Sequence, residues 1–459
     1  MEGSYIYDIV SPGLIRLFYQ ITSLGLLYFL IKYRAYGFAF LVIICFFNGI
    51  FGYFGATLEN IFKIFTVLLL SFLLLFTKSK NKVKLSYWIG ITFFLFTFFF
   101  FLSAYLTNTK LIMTLSQYSK YLFGLLTFLL LNKIKNSDYR FDQLKYLLFS
   151  LLLSQIIFSI IKVMIMGVQE SIVGTIAYIG GGEATTLPIL GFIFLWEYRK
   201  KNLKRLDWLI VIFFFFIGYA SMKRAMWFVY PSVIIYYIFY ISRNSNWKSI
   251  TVVVPLILLL FYFGVRSNPT LNREGSTWGS FDLSFVTNYT VDYSFGTDLE
   301  KQKGEGRGGA TLLLFSKISG PLTSQDLLGS GLAEIYSKDY ENFDENKYGV
   351  NSKGSVTGFF QNYISFGLIG AFITILYMLS IVFVIKEKRL RWLILFLVFW
   401  DYFFYSGMIF RSYSLSILLM MIIVMANLQF ESLENKRISA LNILPSRTNI
   451  PERFTSIQK

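Results

Sequence analysis

Residues 87–105 read YWIGITFFLFTFFFFLSAY, a run from Tyr87 to Tyr105 with no charged side chain. A helix needs about 20 apolar residues to cross a hydrocarbon core of about 30 Å. This run meets that length without amphipathic spacing, and it is bracketed by Lys84 and Lys110. In lipid the backbone has to satisfy its own hydrogen bonds, so such a run is a helix. The pattern recurs at Trp208–Tyr219, Val252–Gly264 and Trp392–Phe410, and in Tyr121–Leu131 with its upstream flank. Hydrophobic residues are 55% and charged residues 15% of the 459-residue chain, too apolar for a soluble domain. The reading is an all-α polytopic membrane protein of about 12–14 spans. Helices are predicted at 12–31, 36–55, 61–77, 86–106, 111–131, 146–168, 176–196, 207–222, 225–241, 249–265, 357–385, 392–410 and 412–430.

The formal charge of +17 is a matter of topology rather than of nucleic acid. Most of the 43 basic residues fall in alternate short loops, at 32–34, 78–84, 133–145, 199–205, 243–248 and 386–391, and in the tail. The positive-inside rule makes those loops cytoplasmic. Spans then fill 1–265 and 356–430, and 431–459 is a basic cytoplasmic tail. The first apolar run, Gly13–Ile31, lacks a basic leader and reads as a retained anchor. Between the two sets of spans lies Arg266–Ser355, a polar segment expected on the extracytoplasmic side. After Arg266 it carries eight basic against twelve acidic residues, unlike the cytoplasmic loops. Its aromatics, including Trp278, Tyr289, Tyr293, Tyr336 and Tyr340, argue against disorder. Short helices are expected over Gly309–Ile318 and Ser324–Tyr336.

Chemistry has few carriers in this composition. There is no histidine, and the single cysteine, Cys45, lies in an apolar run. No zinc or iron–sulfur ligand set is present, nor a Gly-x-x-x-x-Gly-Lys-Ser/Thr phosphate loop. Ionisable residues at membrane depth are the default candidates. Lys223 and Arg224 close an apolar run in Tyr219-Ala-Ser-Met-Lys-Arg-Ala-Met-Trp227. They read either as a tight turn with snorkelling cations or as a seat for phosphate, which guanidinium binds bidentately. Arg307 sits in Gly304-Glu-Gly-Arg-Gly-Gly309, where backbone amides can approach an anion. Glu183 follows three glycines in Tyr178-Ile-Gly-Gly-Gly-Glu. It reads as a base, a hydroxyl ligand, or an ion-pair partner of Lys223 or Arg224. Asp401, Arg411 and Arg266 are expected as ion pairs or interface anchors at the outer turn and the loop mouth.

In their order along the chain these features resemble the O-antigen polymerase and ligase superfamily. Ser221-Met-Lys-Arg224 is similar to its Ser-x-x-Arg helix end. Leu327-Leu-Gly-Ser-Gly331 is like its loop turn. Gln361-Asn-Tyr-Ile-Ser-Phe-Gly-Leu-Ile-Gly370 looks like its polar stretch before a Gly-x-x-Gly step. The similarity covers about 170–375. Ligases carry a histidine before that step, whereas Lys353-Gly-Ser-Val-Thr-Gly-Phe-Phe-Gln361 has none, which favours a polymerase of the Wzy type.

The resemblance implies a multi-pass protein of the bacterial cytoplasmic membrane. It would join oligosaccharide units, carried on undecaprenyl pyrophosphate, into O-antigen or capsule, with no cofactor or metal. Arg224 and Arg307 would stabilise the leaving diphosphate, with Glu183 the candidate base. Lys223, Arg266, Arg411, Gln361, Asn362 and Tyr363 would bind substrate. Expected partners are the lipid-linked donor and acceptor, membrane lipids and a chain-length regulator. A glycan ligase and a flippase are the alternatives. A flippase is expected to have repeated bundles and short outer loops.

Overall fold

The computed structural model describes residues 11–35, 37–77, 86–135, 138–168, 172–178, 181–200, 203–221, 223, 225–241, 322–331 and 356–443, with scattered positions between 255 and 315. Among them the chain is mostly helical. The helices are α1 (Pro12–Lys32), α2 (Phe38–Phe46), α3 (Gly49–Tyr53), α4 (Ala56–Phe76), α5 (Tyr87–Leu106), α6 (Leu111–Ile134) and α7 (Asp138–Met166). They continue as α8 (Glu183–Tyr198), α9 (Arg205–Ala220), α10 (Ala225–Tyr236, extended by a π turn Tyr237–Ile241), α11 (Ser324–Leu328), α12 (Gly358–Val382), α13 (Lys388–Phe403) and α14 (Tyr413–Ile443). The described extended structure is one antiparallel pairing of Thr297–Asp298 with Lys303–Gly304.

Six of these helices are long and apolar enough to cross a membrane: α1, α4, α5, α7, α12 and α14. The chain is a multi-pass membrane protein. Helix α4 shows the physical reason. Leu58, Ile61, Phe65, Leu68, Phe72 and Leu75 are all exposed and recur at three- and four-residue spacing. They form one apolar stripe facing outward, which suits lipid and not water. The opposite side of α4 packs on α6, α6 packs on α14, and α5 packs on α12. Helix α8 is the bundle's centre. It contacts α14 and α9, and every residue from Ala184 to Glu197 is buried.

Several predicted spans are corrected in shape. The expected span 36–55 is two pieces, α2 and α3, broken at Phe47–Asn48. The break is held by Thr175: its carbonyl accepts the Gly49 N–H at 2.8 Å, and its hydroxyl donates to the Phe46 carbonyl at 2.7 Å. Gln155 of α7 accepts the Thr175 N–H at 2.8 Å. Helix α8 begins at Glu183, not 176, and residues 172–178 run without helix along the break. Irregular backbone at this depth persists because protein groups, not lipid, satisfy it.

Helix α12 also breaks, at Gly367, whose φ is +69°. The loop segment 322–331 covers that break. Ser330 and Gly331 donate their N–H groups to the carbonyls of Ile364 and Ser365, at 2.8 and 3.1 Å. Ser103 Oγ of α5 donates to the Ser365 carbonyl at 2.7 Å. The short helix expected over Ser324–Tyr336 is confined, among described residues, to α11. Helix α13 stops at Phe403 rather than 410, and residues 404–412 form a turn with Gly407 at φ +65°. Helix α14 continues to Ile443, 31 residues in all. At about 1.5 Å per residue it outreaches the hydrocarbon core. Most of the expected span 249–265, of the expected helix Gly309–Ile318 and of Arg266–Ser355, including the five aromatics named above, lies outside the described residues.

Candidate functional site

Basic residues gather at one end of several helices, although Lys110 caps the opposite end of α6. Lys32, Lys133, Arg199, Lys204, Lys386 and Arg391 mark one end of α1, α6, α8, α9, α12 and α13. Leu111, Glu183, Gly358 and Tyr413 start α6, α8, α12 and α14 at the other. Near this second end, ionisable side chains from five separate places converge.

Helix α4 contributes Glu59 and Lys63, paired at 2.7 Å one turn apart. Helix α6 contributes Lys120, whose Nζ donates to Gln117 Oε1 at 2.8 Å. Its charged neighbours are Lys63, Arg411, Glu59 and Glu183. Glu183, at the first position of α8, has Lys120, Arg411 and Glu59 as its charged neighbours. Helix α13 contributes Asp401, which lies within electrostatic range of Arg411 and Glu183. Arg411 comes from the 404–412 turn. Its guanidinium donates to Gln361 Oε1 of α12 and, at 3.4 Å, to the Ser406 carbonyl. Glu59, Lys63, Lys120, Glu183, Gln361 and Arg411 are all half-buried. The cluster is therefore not sealed into the core.

Local sequence explains the convergence. A Cβ at Gly182 would collide with Ser406, Met408 and Tyr405, so only glycine lets the start of α8 approach the 404–412 turn this closely. Thr185 and Tyr405 hydroxyls meet at 2.9 Å across the same contact. Asp401 fixes the turn itself: Oδ2 accepts the Ile409 N–H, and its carbonyl accepts the Gly407 N–H, both at 2.8 Å. Tyr413 ties α14 to the other wall, bonding Ser119 Oγ at 2.8 Å and donating to the Lys63 carbonyl at 3.0 Å.

The candidates from sequence therefore divide. Glu183, Gln361 and Arg411 meet in one place. Among the described residues the charged neighbours of Glu183 are Lys120, Arg411 and Glu59; Arg224, one of the two ion-pair partners expected from sequence, lies outside them. Asp401 is a turn-former more than an anchor. Asn362 faces away: it accepts from Tyr121 at 3.0 Å and donates to Tyr402 at 2.9 Å, both buried. It is an interhelical tie. Tyr363 donates to Asp326 Oδ1 at 2.9 Å and so holds α11 on α12. Successive helical residues point about 100° apart, so three neighbours in sequence serve three surroundings. Lys223 lies in the tight turn between α9 and α10, its N–H on the Gly218 carbonyl at 3.1 Å. Arg266 is buried. Arg224 and Arg307 lie outside the described residues.

The sequence reading missed Lys63 and Lys120. Both carry a detectable signal, a cation well inside an otherwise apolar helix. Glu59 and Asp326 carry no signal without their tertiary neighbours. Among the described residues no group of three or more His, Cys, Asp or Glu side chains is placed to hold a metal ion. No family model, curated protein or solved structure matches the chain.

Proposed function

We propose that this protein polymerises lipid-linked oligosaccharide repeat units into a surface polysaccharide, on the extracytoplasmic side of a bacterial cytoplasmic membrane. The observation that carries the reading is the set Lys63, Lys120, Arg411 and Gln361, gathered beside Glu183 at the helix ends remote from the basic loops. By the positive-inside rule that end faces away from the cytoplasm. Cations held at membrane depth suit an anionic group carried by a lipid, and a guanidinium suits the oxygens of a diphosphate.

In the proposed reaction an acceptor sugar hydroxyl bonds to the anomeric carbon of the donor. The bond from that carbon to the lipid diphosphate breaks, and the hydroxyl proton passes to the departing diphosphate. The donor linkage itself supplies the driving force. Preorganised cations lower the barrier by meeting charge as it develops on the leaving group. Arg224 and Arg307 enter on the resemblance of their sequence surroundings.

The test is the glycan lipid left in a deletion strain. Single repeat units on the surface lipid are the expected result. Loss of all surface glycan with polymer stalled outside points to a ligase, and intermediates held on the cytoplasmic face point to a flippase. The second of these has an observation in its favour: two broken helical segments, α2–α3 and α12, flank a charged cluster, as in transporters. In a complemented strain, Arg224→Ala and Arg307→Ala are each expected to stop chain growth while folded protein persists. Wild-type chain length in both would remove those two residues from the site.

A further inference from the structure

Three tyrosines from three separate elements meet at the same end of the bundle. Tyr53, at the end of α3, stacks on Tyr19 of α1, with ring centroids 4.4 Å apart and planes 15° from parallel. Tyr178 leans on both rings, 5.7 Å from Tyr19 and 6.2 Å from Tyr53. Tyr19 is buried, whereas Tyr53 and Tyr178 are half-buried. The backbone under Tyr178 is held by Lys162 of α7, which donates to its carbonyl at 3.3 Å. Packing alone would be served by phenylalanine, which outnumbers tyrosine 51 to 31 in this chain. Among the described residues the neighbours of the Tyr53 side chain that carry rings are Tyr19, Tyr178 and Phe54, and its hydroxyl makes no hydrogen bond.

Hydrogen-bonding groups border this platform. A Cβ at Gly52 would lie 2.9 Å from the Tyr178 Cβ and 3.9 Å from Glu59 Oε2, so glycine lets Tyr178 close over α3 beside the carboxylate. Glu59 is bonded to Lys63 at 2.7 Å, and the pair offers an acceptor and a donor with its charges compensated. Asn60, the next residue of α4, spends Oδ1 on the Ser116 hydroxyl at 2.8 Å, which leaves its amide N–H groups as donors. The Lys63 carbonyl accepts from Tyr413 at 3.0 Å, two residues beyond Arg411, so the polar edge of the platform borders the Arg411 turn.

We infer that Tyr53, Tyr178 and the Glu59–Lys63 pair form a seat for an uncharged pyranose ring, which rests on the tyrosines and bonds the pair through its hydroxyls. A pyranose has a C–H face, which the negative face of an aromatic ring attracts, and a rim of hydroxyls that both donate and accept. An anion is a poorer match, since the cation at this edge is already bonded to Glu59. A hydrocarbon chain is poorer still, because it would leave phenol, carboxylate and ammonium without partners. The inference rests on the proposed function for one point, that the sugar belongs to a substrate glycan. On that reading the sugar lies here while its diphosphate lies toward Arg411.

Saturation-transfer NMR on the full-length protein, in lipid nanodiscs free of sugar-headed detergent, tests the seat. The probe is a neutral oligosaccharide cut from the producing strain's own surface polysaccharide. Transfer is expected to be strongest to the C–H protons of one ring face. Tyr53→Phe keeps the stacking surface and is expected to keep that pattern. Tyr53→Ala is expected to bind about tenfold more weakly. No transfer in the wild-type protein overturns the inference, as does wild-type binding by Tyr53→Ala. Should Tyr53→Ala fail to fold, the other two proteins decide: saturation spread evenly around the ring, or lost in Tyr53→Phe, overturns it equally. Displacement of the probe by glycan lipid from the same strain, placed in the discs, assigns a lipid-borne sugar, and displacement by free glycan alone assigns a soluble one. A sugar seat serves a polymerase, a ligase or a flippase alike. The deletion-strain glycans therefore test the reaction, and this measurement tests the seat.

Discussion

Arg411 is the residue on which the proposed chemistry concentrates, because its guanidinium is bonded to α12 and lies within electrostatic range of Glu183 and Lys120. It lies in the 404–412 turn and donates to Gln361 of α12 and to the Ser406 carbonyl. A planar fork makes several directed bonds that a lysine ammonium cannot reproduce. Arg411→Lys is therefore expected to lose most chain growth, although charge is conserved. Arg411→Gln is expected to lose all of it, with the protein still folded. Glycan ladders from complemented strains check both; a wild-type ladder in Arg411→Lys would show that charge alone suffices. Lys120→Met keeps the apolar stem and removes the ammonium. It is expected to abolish growth as well, since the remaining cations are then outnumbered by carboxylates. Arg411 was visible in the sequence as a charge near an apolar run, but its partner was not. Gln361 lies fifty positions upstream, and only the packing of α12 against the 404–412 turn brings them together.

At the scale of elements, the devices that shape the site are broken helices with borrowed hydrogen bonds. The break in α12 leaves the carbonyls of Ile364 and Ser365 without helical partners, and segment 329–331 with Ser103 supplies them. Gly367 permits this in two ways. Its φ of +69° is strained for any side chain, and a Cβ there would strike the backbone of Leu327 and Leu328. Gly367→Ala is expected to destabilise the protein by about 2 kcal/mol from backbone strain, with more from the collision. A lower thermal midpoint in detergent, together with faster hydrogen exchange at 329–331, is the expected result. An unchanged midpoint would mean that segment 322–331 is not a structural clamp. The capping box around Asp326 points the same way. Thr323 N–H donates to Asp326 Oδ2 at 2.9 Å, while Oδ1 accepts from Tyr363. One carboxylate thus starts α11 and fastens it to α12.

At the scale of the molecule, the proposal depends on which end of the bundle meets the cytoplasm. In a Cys45→Ser background, a cysteine at Lys82 and one at Ser284 are expected to label from opposite sides of intact cells, with Ser284 reached from outside. Labelling of both from one side would remove the extracytoplasmic assignment. The class of the protein was legible in the chain alone. Apolar runs near 20 residues permit few other structures in lipid, because length and hydropathy are local properties and an unpaired backbone in hydrocarbon is prohibitive. The alternation of basic loops, local in the same sense, set which helix ends belong together. Tertiary structure decided what local patterns do not encode. It broke 36–55 at Phe47, where Thr175 and Gln155 take over the hydrogen bonds, and it brought Lys63, Lys120, Glu183 and Arg411 together from four separate stretches. It also turned Asn362 and Tyr363 away from Gln361. Which charges meet depends on how the helices pack and rotate against one another, and that is settled by the fit of the whole bundle rather than by any one span.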